Sequence, residues 1–159
     1  MRLEVRRAIA ADAPLVHRFV VELAEFERMA DQVRAGEADL RAMLFCAAPR
    51  AFCEILEMDG EGAGFALWFY NLSTFEGRHG LFLEDLYVCP AMRGRGGGRA
   101  LLRALARRCV EEGLARLEWA VLDWNAEAIA FYDRMGAEAK DGWTARRLSG
   151  GALRMLAEA

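Results

Sequence analysis

Lysine is almost missing from this chain. Of 21 basic residues, Lys140 is the one lysine and the other 20 are arginine. Together with heavy use of Ala, Gly and Leu, this is the mark of GC-rich coding and carries no functional meaning. Histidine is nearly as scarce. His17 and His79 stand apart, so no histidine-based zinc site is expected. The four cysteines, Cys46, Cys53, Cys89 and Cys109, include no C-x-x-C pair. They read as reduced structural thiols of a cytoplasmic protein. The opening MRLEVRRAIA is charged and has no apolar segment of the secretory kind. The longest uncharged run, Gly62–Phe75, is too short to cross a bilayer, so no membrane partner is expected. A net charge of −3 gives no basic surface for nucleic acid. There is no internal repeat and no low-complexity linker, which leaves one domain over 1–159.

What is present is a globular composition. The 159 residues are 55% hydrophobic and 28% charged, enough for a sizeable core. Leu3 and Val5 mark a first strand. Asp12 or Ala13 starts a helix, with Pro14 in its first turn. Val16, Phe19, Val20 and Leu23 recur at helical spacing, and the helix is expected to run to about Met29. Its polar side carries Glu22, Glu25, Glu27 and Asp31, which alone read as a solvated face. Glu37–Cys46 is a second short helix, closed by Pro49. Ala51–Met58 and Gly64–Leu72 are strand-like and flank Asp59-Gly60-Glu61-Gly62, a strong hairpin signal.

Leu81–Leu102, LFLEDLYVCPAMRGRGGGRALL, organises the rest. Leu81–Val88 is an apolar strand interrupted by two adjacent carboxylates, Glu84 and Asp85. Pro90 ends it. Arg93-Gly94-Arg95-Gly96-Gly97-Gly98 then leads into a helix over Arg99–Glu111. Glycines before a helix leave backbone N–H groups bare and pointing one way, a ready site for phosphate. Arg99, Arg103 and Arg107 form an exposed stripe, from whose first turn Arg99 can reach a phosphate. Arg116–Leu122 is the next strand, parallel to the one before the crossover helix. Asn125 caps a helix over Ala126–Met135, with Gly136 at its C-terminal end. A strand is expected around Trp143–Leu148. The type of the last element, after Gly151, is left open.

The glycine loop fails two templates for phosphate binding. No Gly-Lys-Ser/Thr follows, so it is not a P-loop. Arg99 and Leu101 stand where a dinucleotide fingerprint needs Gly or Ala. R-x-x-G-x-G/A is met by Arg93, Gly96 and Gly98. In this context, with a strand before, a helix after, then a strand, an Asn and a Tyr-bearing helix, the chain resembles the GNAT superfamily of N-acetyltransferases. The segments Glu22–Val33, Phe82–Val88, Arg93–Gly98, Asp123–Ala137 and Gly142-Trp143 resemble its spermidine/spermine, or diamine, branch. Members of that branch also acetylate thialysine and related small amines.

The resemblance implies an α/β fold. Its sheet would be mixed, mostly antiparallel and twisted, with six to seven strands, about four flanking helices and a splayed strand pair. It implies acetyl-CoA as co-substrate, a small amine as acceptor and a homodimer. The cofactor would lie on Leu86, Tyr87, Val88, Arg93, Gly94, Arg95, Gly96, Gly97, Gly98, Arg99 and Asn125. Pantetheine would fill the gap of the splayed pair, and a backbone N–H near Leu86–Tyr87 would meet the oxyanion. Glu84 is the family's candidate for accepting the ammonium proton, and Tyr132, seven residues after Asn125, for protonating the thiolate. Phe26, Glu27, Glu84, Asp85 and Asp141 match the acceptor side. Two departures, Phe26 for a tyrosine and Asp141 for a glutamate, bear on which amine is used. Asp85 cannot share the face of Glu84 unless a bulge intervenes. Acetylation of another amine (an amino acid, an aminoglycoside or a protein lysine) and a non-catalytic acyl-CoA-binding module remain the alternatives.

Overall fold

A computed structural model describes residues 1–159. Its contacts divide the chain into two compact units, Met1–Ala120 and Val121–Ala159.

The first unit is a five-stranded sheet in sequential order: β1 (Leu3–Arg7), β2 (Phe52–Met58), β3 (Glu61–Ser73), β4 (Arg78–Val88) and β5 (Leu117–Trp119). The first four strands pair antiparallel, and β4 pairs parallel with β5. The Asp59-Gly60 turn between β2 and β3 has both residues at positive φ, 52° and 86°, the geometry that matches strand twist in a two-residue hairpin. Helices α1 (Ala13–Phe26) and α2 (Glu37–Phe45) join β1 to β2, and α3 (Gly97–Glu111) joins β4 to β5.

Alternation along the strands sorts the core onto two faces. Phe19, Val16 and Leu23 of α1 pack with Cys53, Ile55, Phe65, Leu67 and Tyr87. Phe19 stacks on Phe65 with centroids 5.7 Å apart. The other face carries Trp68, against which Arg108 of α3 lies with its guanidinium 5.1 Å from the ring. Buried Glu54 balances that arginine and Arg7, at 3.5 and 3.2 Å.

A register shift between Leu67 and Trp68 sets the two ends of β4 on different faces. Trp68 lies opposite Leu83, but Leu67 lies opposite Asp85, so Glu84 is the extra residue of a β-bulge. Leu81 and Leu83 therefore share the α3 face with Trp68. Asp85 and Tyr87 share the α1 face with Leu67. Without the bulge all four would point the same way.

The second unit holds α4 (Ala126–Asp133) and α5 (Gly150–Ala157). Asn125 caps α4 as expected, its Oδ1 accepting from the Ala128 N–H at 3.2 Å. Gly136 stands at φ 80° just past the helix end. The open last element is thus a helix.

Three expectations need correction. The sheet has five strands, not six to seven. Residues 143–148 form no strand, because residues 121–159 contain no other strand to pair with. The first helix stops at Phe26 rather than Met29, because Arg28 turns left-handed at φ 61°.

Candidate active site

The glycine loop is built for an anion. Gly94 and Gly96 have φ of 73° and 88°, a conformation that L side chains rarely adopt. Gly96 caps α3, and no side chain caps it. The first-turn N–H groups of Gly97, Gly98 and Arg99 therefore have no intrahelical carbonyl and no side-chain acceptor. Gly97 sits so close to β2 that a Cβ there would meet Leu56 Cδ2 at 2.6 Å. Its bareness lets the helix start against the sheet. Exposed Arg95 and Arg99 pair with no carboxylate. The donors and both arginines suit a phosphate at the positive end of the helix dipole.

Beside the loop, β4 loses its second neighbour. Its pairing with β5 covers only Leu81–Leu83 against Leu117–Trp119. From Glu84 to Val88, β4 pairs with β3 alone. This is the splay expected from the resemblance. It leaves Leu86–Val88 with no strand partner on the β5 side.

The carboxylates lie at the bulge. Glu84 is exposed, and Asp85 is half-buried on the α1 face. Burial, then the charges of Glu84 and Glu27, push the Asp85 carboxyl up to about 7. Glu27 follows the last residue of α1, and burial raises its carboxyl too. The charge of Glu27, at the end of α1, thus reaches Asp85 on β4 and favours its neutral form.

The end of α1 is held firmly. Tyr87 donates its hydroxyl to Glu22 at 2.9 Å, which, after burial, raises the phenol's pKa further. Arg93 donates its Nε to the Val88 carbonyl at 2.9 Å, and its guanidinium stands 4.7 Å from the Phe26 ring. Arg28 N–H bonds to Glu25 O at 3.1 Å and Met29 N–H to Ala24 O at 2.8 Å. That pair of bonds is a Schellman motif, with an arginine where glycine is usual.

The acetyltransferase (GNAT) family profile matches residues 19–137. The chain belongs to the GNAT acetyltransferase family. It is 37% identical over 164 residues to the thialysine N-epsilon-acetyltransferase of Bos taurus, covering 96% of each chain. The L-ornithine N5-acetyltransferase of Arabidopsis thaliana is 29% identical, with 96% of this chain and 86% of that one covered. A solved integron cassette protein from the mobile metagenome of V. cholerae aligns with a TM-score of 0.82 at 26% identity, over 100% of this chain and 99% of that one.

Within its first unit, this GNAT acetyltransferase brings together Phe26, Glu27, Asp85, Tyr87 and Arg93. Asn125, Tyr132 and Asp141 belong to the second unit. There Asn125 spends its oxygen on the cap, Tyr132 is half-buried beside Phe131, and Asp141 is on an exposed loop. Sequence reasoning missed the Tyr87–Glu22 bond and the stacking of Arg93 on Phe26, and named a bulge only as the exception to strand alternation. The one sequence signal for them was the row of acids on α1, which read as a wet face.

Proposed function

We propose that the protein, as a single GNAT domain, transfers the acetyl group of acetyl-CoA to a primary amine of a small diamine, polyamine or thialysine-like substrate by direct attack. The observation that carries this reading is the meeting of Asp85 and Glu27 at the unpaired half of β4, next to the glycine loop. The loop Gly94–Arg99 takes the pyrophosphate on backbone N–H groups. Leu86–Val88 pair with the pantetheine amides, and the free amide N–H₂ of Asn125 adds a cofactor contact.

Removing the ammonium proton is the first barrier. A free alkylammonium has a pKa of about 10.4, so about one part in a thousand is neutral at pH 7. An acceptor works best with a pKa near the working pH. Asp85, pushed up to about 7, meets that requirement. Glu84, which the resemblance names for this role, is the exposed carboxylate beside it and guides the cation in. The amine nitrogen then forms its bond to the carbonyl carbon, and a backbone N–H at Leu86–Tyr87 takes the developing negative charge. The carbon–sulfur bond breaks, and Tyr132, by its motif position, gives its proton to the departing thiolate. Glu27 and Phe26 hold the far part of the acceptor, and Asp141 is assigned to the acceptor by its motif position alone. The protein acts in the cytoplasm, as its cysteine usage suggests, and as a homodimer, as the resemblance implies; sedimentation equilibrium tests the dimer.

The relatives named for thialysine and L-ornithine have acceptors with a terminal amine on a short chain. Thialysine, ornithine, lysine, putrescine and spermidine should therefore be screened with acetyl-CoA by release of free thiol. Turnover of at least one is expected, whereas turnover only on a peptide refutes the small-amine reading. Tyr132→Phe should lower kcat at least tenfold with acetyl-CoA affinity unchanged, on the scale of lost acid catalysis of about 10²–10⁴-fold. An unchanged kcat returns Tyr132 to packing.

A further inference from the structure

Arg93 opens the glycine loop, and by motif position it belongs to the cofactor. Its side chain is committed elsewhere. Nε donates to the Val88 carbonyl at 2.9 Å, and the guanidinium lies 4.7 Å from the centroid of Phe26 and 5.7 Å from that of Tyr87. Phe26 is the last residue of α1, and Glu27 follows it directly. One turn earlier on the same face, Glu22 receives the Tyr87 hydroxyl. One residue later, Arg28 turns left-handed at φ 61° and the Schellman bonds close the helix.

These contacts fix the last turn of α1 to the end of β4. Phe26 is 39% exposed, and the planar guanidinium covers a face of its ring by cation–π attraction. Through Phe26 it sets the position of the adjacent Glu27.

We infer that Arg93 is a positioning residue for the acceptor side: stacked on Phe26 and anchored on the Val88 carbonyl, it holds Glu27 beside Asp85. This rests on the assignment of Glu27 and Asp85 to the amine. It gives the first arginine of the phosphate loop a task directed at the other substrate.

The test is a double-mutant cycle on the full chain, with the best amine from the screen above. Arg93→Ala should raise KM for the amine about tenfold, the scale of a partly desolvated cation–π contact. The Kd for acetyl-CoA by calorimetry should stay within twofold. Arg93→Lys should lose as much, since an ammonium cannot lie flat on the ring and hold the carbonyl together. Phe26→Leu should match Arg93→Ala, and the double variant should be no worse than either. A weaker Kd for acetyl-CoA with an unchanged amine KM overturns the inference and makes Arg93 a phosphate ligand. Additive losses overturn it as well.

A second readout needs no turnover. Glu27, titrated by carboxyl NMR, should fall back toward an ordinary carboxylate value in Arg93→Ala and Arg93→Lys as water reaches the loosened turn. An unmoved Glu27 overturns the inference even where the enzyme is active. A wild type that acetylates no small amine, with Glu27 moving as expected, overturns the substrate reading and leaves the positioning role standing.

Discussion

The two ends of β4 differ in their strand neighbours and in the side chains they carry. Leu81–Leu83 has a strand on each side, and its leucines are buried on the α3 face. Glu84–Val88 has a strand on one side only, and it carries both carboxylates. The bulge at Glu84 divides them. It breaks the alternation once, which turns Asp85 from the packed α3 side to the end of α1. One inserted residue thus separates a leucine segment packed on α3 from the segment proposed to carry the chemistry.

Substitution at Asp85 gives the sharpest contrast with the leucines. Asp85→Asn should lower kcat/KM by about 10²–10³-fold, in the range of general-base catalysis. Its fold should survive, because the amide keeps the shape. Wild-type activity should rise with pH through about 7 as Asp85 gives up its proton. The stability sign is opposite. An unfolded aspartate titrates near 3.9, so between about 4 and about 7 the folded state holds the proton more tightly. The folded state then loses stability as pH rises through that window, and the full penalty is present above it. Asp85→Asn removes the penalty. Its melting temperature should exceed that of wild type at pH 8, and the gap should close at pH 4. A pH-independent gap would sink this assignment.

Leu83→Ala, in the paired half, should do the reverse. Leu83 is 2% exposed, and its truncation should cost about 2–5 kcal/mol in denaturant unfolding. Activity per folded molecule should hold. A selective loss of activity would mean that the two ends are not separable.

Gly64 tests the strand behind the unpaired half. A Cβ there would stand 2.3 Å from the Tyr87 carbonyl oxygen, which is backbone and cannot step aside. Gly64→Ala should cost about 1–3 kcal/mol, as overpacking does. It should also raise KM for acetyl-CoA by moving Leu86–Val88. An effect on stability alone would show that this backbone does not meet the cofactor.

Glu84→Gln should have the smallest effect, about two- to fivefold in amine KM, the scale of an exposed ion pair. A loss larger than that of Asp85→Asn would exchange the roles of the two acids.

Local signals were legible in the sequence. The Asp59-Gly60 turn, the Asn125 cap and the bare helix start at Gly96 each depend on residues a few positions apart. The last two placed the chain in its family by motif. The bulge was not legible, since it arises from register against Leu67 and Trp68 across the hairpin. Nor was the stacking of Arg93 on Phe26, which joins residues far apart in the chain. Residues 143–148 failed in the opposite sense. Their local pattern suits a strand, but a strand exists only with a partner. Glu22 and Glu27 read in the sequence as part of a wet face, and only the fold brings Tyr87 and Asp85 to them.

The unpaired run from Glu84 to Val88 has one more consequence, for handling. It has no strand on its second side, and such an edge is a template on which a second chain can add by main-chain bonding. In the proposed complex, a pantetheine arm on those groups would also block that pairing. Concentrated enzyme should therefore stay clear longer with free CoA present than without it, and light scattering at matched protein concentration reads the difference.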